Sequence, residues 1–137
     1  MASKHALLSP SSADKWTACP GMPRLAAQVS YTTSIPAVTG TLVHQMSETL
    51  MKGNLDGDIS LEDYWLGKLL VEEQVSMEEI SENIWGTADA IILSEGRICV
   101  IDLKSGKWQV APDHNKQLMI YGLGALTRYG NAETIME

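Results

Sequence analysis

The chain has 137 residues and a mass of 15.0 kDa, which bounds it to one domain, at most with an added arm. Hydrophobic residues at 45% and charged residues at 20% exclude a disordered chain, and no apolar run approaches the ~18 residues of a membrane span. Ten Lys and Arg against 17 Asp and Glu leave a net charge of −7, which on its face speaks against a polyanionic partner.

The chain opens as a loop. Ser9-Pro10-Ser11-Ser12 then caps a short helix from Ala13 to Cys19, which Pro20-Gly21 stops. Gln28 to Val38 reads as an irregular connection, so residues 1–39 form an N-terminal arm with one short helix. Gly40-Thr41 is a helix start, and Leu42, Val43, Met46 and Leu50 recur at helical spacing until Gly53-Asn54 ends the pattern. Ser60-Leu61-Glu62-Asp63 is a capping box that predicts a helix to about Leu69.

The period then changes from helical to alternating. Val71, Glu73, Val75 and Met77 alternate with Glu72, Gln74 and Ser76, the pattern of a strand. Thr87 to Leu93 and Arg97 to Lys104, rich in Ile and Val, flank Ser94-Glu95-Gly96 and predict a β-hairpin. Gln117 to Tyr129 returns to a helix with Leu118, Tyr121, Ala125 and Tyr129 on one side. Residues 133–137 start a further strand that the chain does not complete. The fold class is α/β: N-terminal helices, a three-stranded antiparallel meander and a following helix, in one domain over residues 1–137.

The charge is uneven along this order. Nine of the acidic residues lie between Asp56 and Glu82, where Lys68 is the one base. From Arg97 to Arg128 the sign reverses: Arg97, Lys104, Lys107, Lys116 and Arg128 face only Asp102 and Asp113. The net charge therefore does not exclude nucleic acid. Two cysteines, Cys19 and Cys99, are too few for a disulfide scaffold or a four-thiolate metal site. With no signal-peptide core at the N-terminus, a reduced cytoplasmic setting is the default.

Chemistry concentrates in the hairpin. In Ile101-Asp102-Leu103-Lys104 the alternation of a strand points Asp102 and Lys104 to one face. Pairing the strands across a two-residue Glu95-Gly96 turn sets Ser94 against Arg97 and Leu93 against Ile98. Asp89 then lies opposite Asp102. Two opposed carboxylates repel unless a hard divalent cation such as Mg²⁺ or Mn²⁺ sits between them. A three-residue turn would separate them, so the register decides. His44 and Glu48 lie one helical turn apart, as do Gln117 and Tyr121.

The ordered succession Gly40-x-x-x-His44, Gly86-x-x-Asp89, Asp102-x-Lys104 and Gln117-x-x-x-Tyr121 resembles the PD-(D/E)XK nuclease superfamily, within it the RecB/Cas4-like exonuclease branch. The surrounding wording is similar to the phage and prophage proteins grouped as DUF2800: Ser9-Pro10-Ser11, Trp16-x-x-Cys19-Pro20, Gly86-Thr87-Ala88-Asp89-Ala90 and Gln117-Leu118-x-x-Tyr121. The resemblance runs from about His5 to Tyr129. It implies a restriction-endonuclease-like core whose last strand is cut off near Glu137. It also implies that His44, Asp89, Asp102 and the Leu103 carbonyl hold Mg²⁺ or Mn²⁺, that Lys104 is the catalytic lysine beside Asp89 and Asp102, and that Gln117 and Tyr121 position substrate. Glu48 is a candidate acceptor behind His44. Some relatives carry a four-cysteine iron–sulfur cluster; with Cys99 in a strand, none can form within this chain.

The function implied is metal-dependent hydrolysis of DNA phosphodiesters, exonuclease in type, in phage replication or recombination. DNA is the implied partner, with a second copy or a phage recombination protein beside it, in the cytoplasm of a bacterial host. The alternative is a non-catalytic nuclease-fold module for nucleic-acid binding or assembly, inactivated by truncation. Trp108, just past Lys104 and Lys107, is the aromatic residue placed to stack on a base.

Overall fold

The computed structural model describes residues 6–30, 34–53, 67–106 and 109–130. Among them the elements run as a 3-10 turn Pro10–Ser12, then α1 (Ala13–Ala18), α2 (Met22–Ala26) and α3 (Ile35–Lys52). The strands β1 (Lys68–Ser76), β2 (Trp85–Ser94) and β3 (Arg97–Ile101) follow, and α4 (Lys116–Tyr129) is last. The strands form one antiparallel sheet in the order β1-β2-β3, the meander expected from the alternation pattern. The expected strand at residues 133–137, most of the expected 60–69 helix and Trp108 lie outside the described residues.

Several boundaries differ from expectation. Helix α3 starts at Ile35, one and a half turns before Gly40-Thr41. Ser34 caps it by accepting from the Ala37 amide at 3.4 Å, and Pro36, whose missing N–H costs nothing in a first turn, follows. Pro36 therefore opens the helix rather than marking an irregular connection. At the other boundary, Lys68 and Leu69 belong to β1, where they pair with Leu93 and Ile92, and not to a preceding helix. Strand β3 stops at Ile101, so Asp102 and Lys104 lie just past the ladder. A further short helix, α2, begins one residue after Pro20-Gly21.

The hairpin register is the one a two-residue turn requires. Leu93 pairs with Ile98 and Ser94 with Arg97, and Gly96 takes the turn's left-handed position at φ +65°. The central strand β2 is buried from Ala88 to Leu93. Val75, Ala88, Ile91, Leu93, Tyr121 and Ala125 form the core, with Leu70, Ile98, Val100 and Tyr129 packed against it. On α4, Tyr121 and Ala125 are on the expected inner side, and Gly124 lets the helix close on Val75, whose Cβ would lie 3.0 Å from an added methyl group. The apolar stripe on α3 behaves differently. Leu42, Met46 and Leu50 are all more than half exposed, so helical spacing correctly gave the element but not a buried face among the described residues.

The N-terminal segment closes one end of the sheet. Leu8 donates its amide to the Asn83 carbonyl, Trp16 Nε1 donates to the Ser9 carbonyl at 2.9 Å, and Pro10 is fully buried. Pro10 rests on Gly86. A Cβ there would sit 2.8 Å from Pro10 Cδ and 3.1 Å from Tyr121 Cε1. Gly86 is thus required by close approach from two sides, and it lets the N-terminal turn pack beside the strand that carries Asp89.

Candidate metal and phosphodiester site

The sheet register builds the site before any side-chain detail is needed. Leu70, Ile91 and Val100 pair across the three strands, an apolar row. Past that row, Glu72 falls across from Asp89, between the Val71–Ala90 and Glu73–Ala88 pairs, and Asp102 follows directly after the last β3 pair, Ile101 with Ala90. The apolar row is therefore followed by three carboxylates. Two unit charges 4 Å apart repel by about 4 kcal/mol at an effective dielectric of 20, so the row is costly unless each member finds a counter-charge.

Helices from both sides supply partners. From α3, His44 Nδ1 lies 2.9 Å from Asp89 Oδ1. With Asp89 ionised the shared proton belongs on Nδ1, which leaves the Nε2 lone pair as the ring's donor atom toward a cation. The other Asp89 oxygen accepts from the Leu103 amide at 2.5 Å, which fixes the chain just beyond β3. Asp89 is 9% exposed, and both of its oxygens are engaged.

Asp102 is held by the other helix. Gln117 Nε2 donates to Asp102 Oδ1 at 2.8 Å, while Gln117 Oε1 accepts from Lys104 Nζ at 2.7 Å. Only one orientation of the amide serves both contacts: flipped, its oxygen would face a carboxylate and its NH₂ an ammonium. Gln117 Nε2 also reaches Tyr121 Oη at 3.5 Å. Lys104 Nζ lies 2.5 Å from Asp102 Oδ2, yet that oxygen has no partner in hydrogen-bonding direction and the Asp102 side chain is only 5% exposed. Oδ2 is thus a buried carboxylate oxygen whose counter-charge is the Lys104 ammonium.

The residues expected from the sequence thus converge. His44, Asp89, Asp102, Lys104, Gln117 and Tyr121 line one open cavity of about 760 Å³, whose rim includes Ser9, Ser11, Thr41 and Thr87. Their grouping is finer than expected. The donor atoms of His44, Asp89 and Glu72 lie within 4.8 Å of one another, whereas Asp102 is turned to Lys104 and Gln117. Leu103 is positioned through its amide, by Asp89. Glu48 is a correction: its Oε1 accepts from Lys52 at 2.6 Å, one turn along the same helix, and the partner of His44 is Asp89. A neighbouring ammonium outcompetes a ring nitrogen for that carboxylate.

Glu72 is the residue that the sequence did not single out. Its alternation signal placed it in β1, but its position opposite Asp89 needs the β1–β2 register, and an eight-residue connection between those strands conceals that register. Burial, then the nearby Asp89 and Glu48, push its carboxyl above the ordinary value, with His44 and Lys52 opposing. Burial likewise pushes the Tyr121 phenol up, as do Asp102, Asp89 and Glu72, against the Gln117 hydrogen bond. At neutral pH Tyr121 is therefore a neutral hydrogen-bonding group and not a base.

The described bases of the Arg97–Arg128 sector are mostly committed locally. Lys104 faces Asp102, Lys116 reaches Asp14 at 3.5 Å and Thr17 at 2.7 Å, and Arg128 pairs with Glu73 at 2.7 Å. Cys19, just after α1, and Cys99, in β3, are exposed free thiols, and no cysteine joins a metal-ligand cluster among the described residues. No helix among the described residues is long and apolar enough to cross a membrane.

No solved structure matches the chain. A family model described as "Protein of unknown function (DUF2800)" matches residues 5–64 and 62–136, nearly its whole length. The Ser9-Pro10-Ser11 turn seated on Gly86, the Asp89 and Asp102 row, and the Gln117-to-Tyr121 helix thus all fall within a match that spans the chain: it belongs to the DUF2800 family.

Proposed function

We propose that the protein hydrolyses DNA phosphodiesters with Mg²⁺ or Mn²⁺, as an exonuclease-type enzyme of the PD-(D/E)XK superfamily acting in phage replication or recombination. One observation carries the reading: carboxylates from adjacent strands, a histidine, a lysine and a glutamine from five separate stretches of chain meet in a single open cavity. Oxygen donors with one imidazole suit a hard divalent cation, and the Asp102 carboxylate stands in the same cavity with its side chain 5% exposed. The residues therefore fit such an ion. His44, Asp89 and Asp102 would hold it, with the Leu103 carbonyl beside them.

A bound dication supplies a Lewis acid and a water acidic enough to ionise near neutral pH. The chain's own residues supply the rest. Lys104 brings a positive charge to the place where a phosphoryl oxygen gains negative charge, and it can orient the attacking water. Gln117 sets the Lys104 ammonium and the Asp102 carboxylate at fixed separation. Tyr121, neutral, buttresses that amide from one turn along α4. Ser9, Ser11 and Thr87 offer hydroxyl donors at the cavity rim for phosphate oxygens.

Degradation of linear DNA by the full-length protein tests the reading. The protein should degrade DNA with Mg²⁺ or Mn²⁺ and not with EDTA, and Asp102→Ala and Lys104→Ala should each abolish this. Undiminished degradation in both variants would sink it. A wild-type protein that binds DNA without cleaving it would favour a non-catalytic nuclease-fold module.

A further inference from the structure

We infer that Glu72 is a direct ligand of the cation centre, so that His44, Glu72 and Asp89 hold the ion from one side and Asp102 from the other. The inference rests on the metal-dependent reading above and adds a residue to it. Three observations converge. The register sets Glu72 across from Asp89, between the Val71–Ala90 and Glu73–Ala88 pairs, and Asp102 follows the last β3 pair, Ile101 with Ala90. The donor atoms of Glu72, Asp89 and His44 fall within 4.8 Å of one another, a spread that one divalent ion can bridge. Asp102 lines the same cavity, so the carboxylates continue beyond Asp89.

The backbone at this position agrees. Glu72 holds φ +54° inside a strand, a conformation that an L-residue other than Asn, Asp or Gly adopts at a cost of about 1 kcal/mol or more. Glycine would be cheaper there, and a strand glutamate facing solvent would need no such backbone. The adjacent Glu73 shows the contrast, since its carboxylate is already taken by Arg128 and Tyr129.

Calorimetric titration of Mn²⁺ into the full-length protein, with thermal melts of the cation-free forms, tests this on four proteins: wild type, Glu72→Gln, Glu72→Gly and Asp89→Asn. Wild type should bind Mn²⁺ and Asp89→Asn should not. Glu72→Gln and Glu72→Gly should each weaken Mn²⁺ binding tenfold or more. Both should melt no lower than wild type when cation-free, because glutamine removes a like charge from Asp89 and glycine relieves the left-handed backbone. Loss of less than tenfold in both variants overturns the ligand role of Glu72 and leaves the metal-dependent reading standing. A fall in cation-free melting temperature in both would make Glu72 a folding residue and overturn it equally. A wild type with no Asp89-dependent Mn²⁺ binding overturns both readings.

Discussion

Strand β1 carries two glutamates in succession, and the molecule treats them oppositely. Glu73 meets the C-terminal turn of α4, where Arg128 Nη1 lies 2.7 Å away and Tyr129 Oη donates at 2.5 Å to the same carboxylate oxygen. Glu72 meets Asp89 and His44 at the cavity. The first region is complete: each charge has its partner within the chain. The second gathers Glu72, Asp89 and Asp102 around one histidine and one lysine, so its carboxylates outnumber the fixed positive charges they meet. We assign stability to the first region and propose that the second is the one that binds. The difference teaches where to look for function in a sheet whose sequence alternates similarly at both ends.

The largest effects should separate the two regions by activity. Lys104→Ala should lower Mg²⁺-dependent DNA degradation by about 10²–10³-fold or more, measured as acid-soluble nucleotide released, because it removes the side-chain charge proposed to face the reacting phosphate. Glu73→Gln, in contrast, should leave the rate per folded molecule unchanged. Equal losses in the two variants would erase the distinction.

Next in size is the joint between the regions. Gly86→Ala forces a methyl group to 2.8 Å from the buried Pro10 ring, and neither Pro10 nor Tyr121 can rotate away cheaply. Overpacking of this kind costs about 1–3 kcal/mol, so chemical denaturation should show a lower midpoint at unchanged slope. The same substitution should weaken activity through the displaced Pro10 turn and Tyr121.

How much of this was legible in the sequence follows from what fixes each feature. The β2–β3 register was, because a two-residue turn with Gly96 leaves one pairing, and that pairing carries Ala90 to Ile101, the neighbours of Asp89 and Asp102. The motif residues His44, Lys104, Gln117 and Tyr121 were, because their spacing survives in the sequence whatever the loops do. Glu72 was not: nothing local ties β1 to β2, so the residue opposite Asp89 is decided only when the long connection folds. The start of α3 was missed because Gly40-Thr41 outweighed Ser34 and Pro36, although a Ser cap followed by Pro is the stronger signal. The exposed Leu42, Met46 and Leu50 show that a helical period reports an element and not what covers it.

Smaller effects belong to the completed region. Removing the Glu73 carboxylate as Glu73→Ala should cost about 1 kcal/mol, a drop of a few degrees in melting temperature, since its partners are half open to water. Burial, then the hydrogen bond and charge of Glu73, push the Tyr129 phenol up to about 12, against Arg128. A folded-state value above the unfolded one stabilises fully below about pH 10 and is lost as the pH climbs through about 12. Wild type should therefore lose stability between those limits in denaturant titrations, and Tyr129→Phe should lose that part of the dependence. An identical alkaline profile for the two would mean that the Tyr129–Glu73 contact contributes nothing.

The central claim is that the second region is a cation seat, and anomalous X-ray scattering at the manganese edge tests it most directly. A crystal of the full-length protein grown with millimolar Mn²⁺ should show an anomalous peak in the cavity within ligand distance of His44 and Asp89, and Asp89→Asn should remove it. A wild-type crystal with no peak there, or with manganese bound only elsewhere on the surface, would contradict the account.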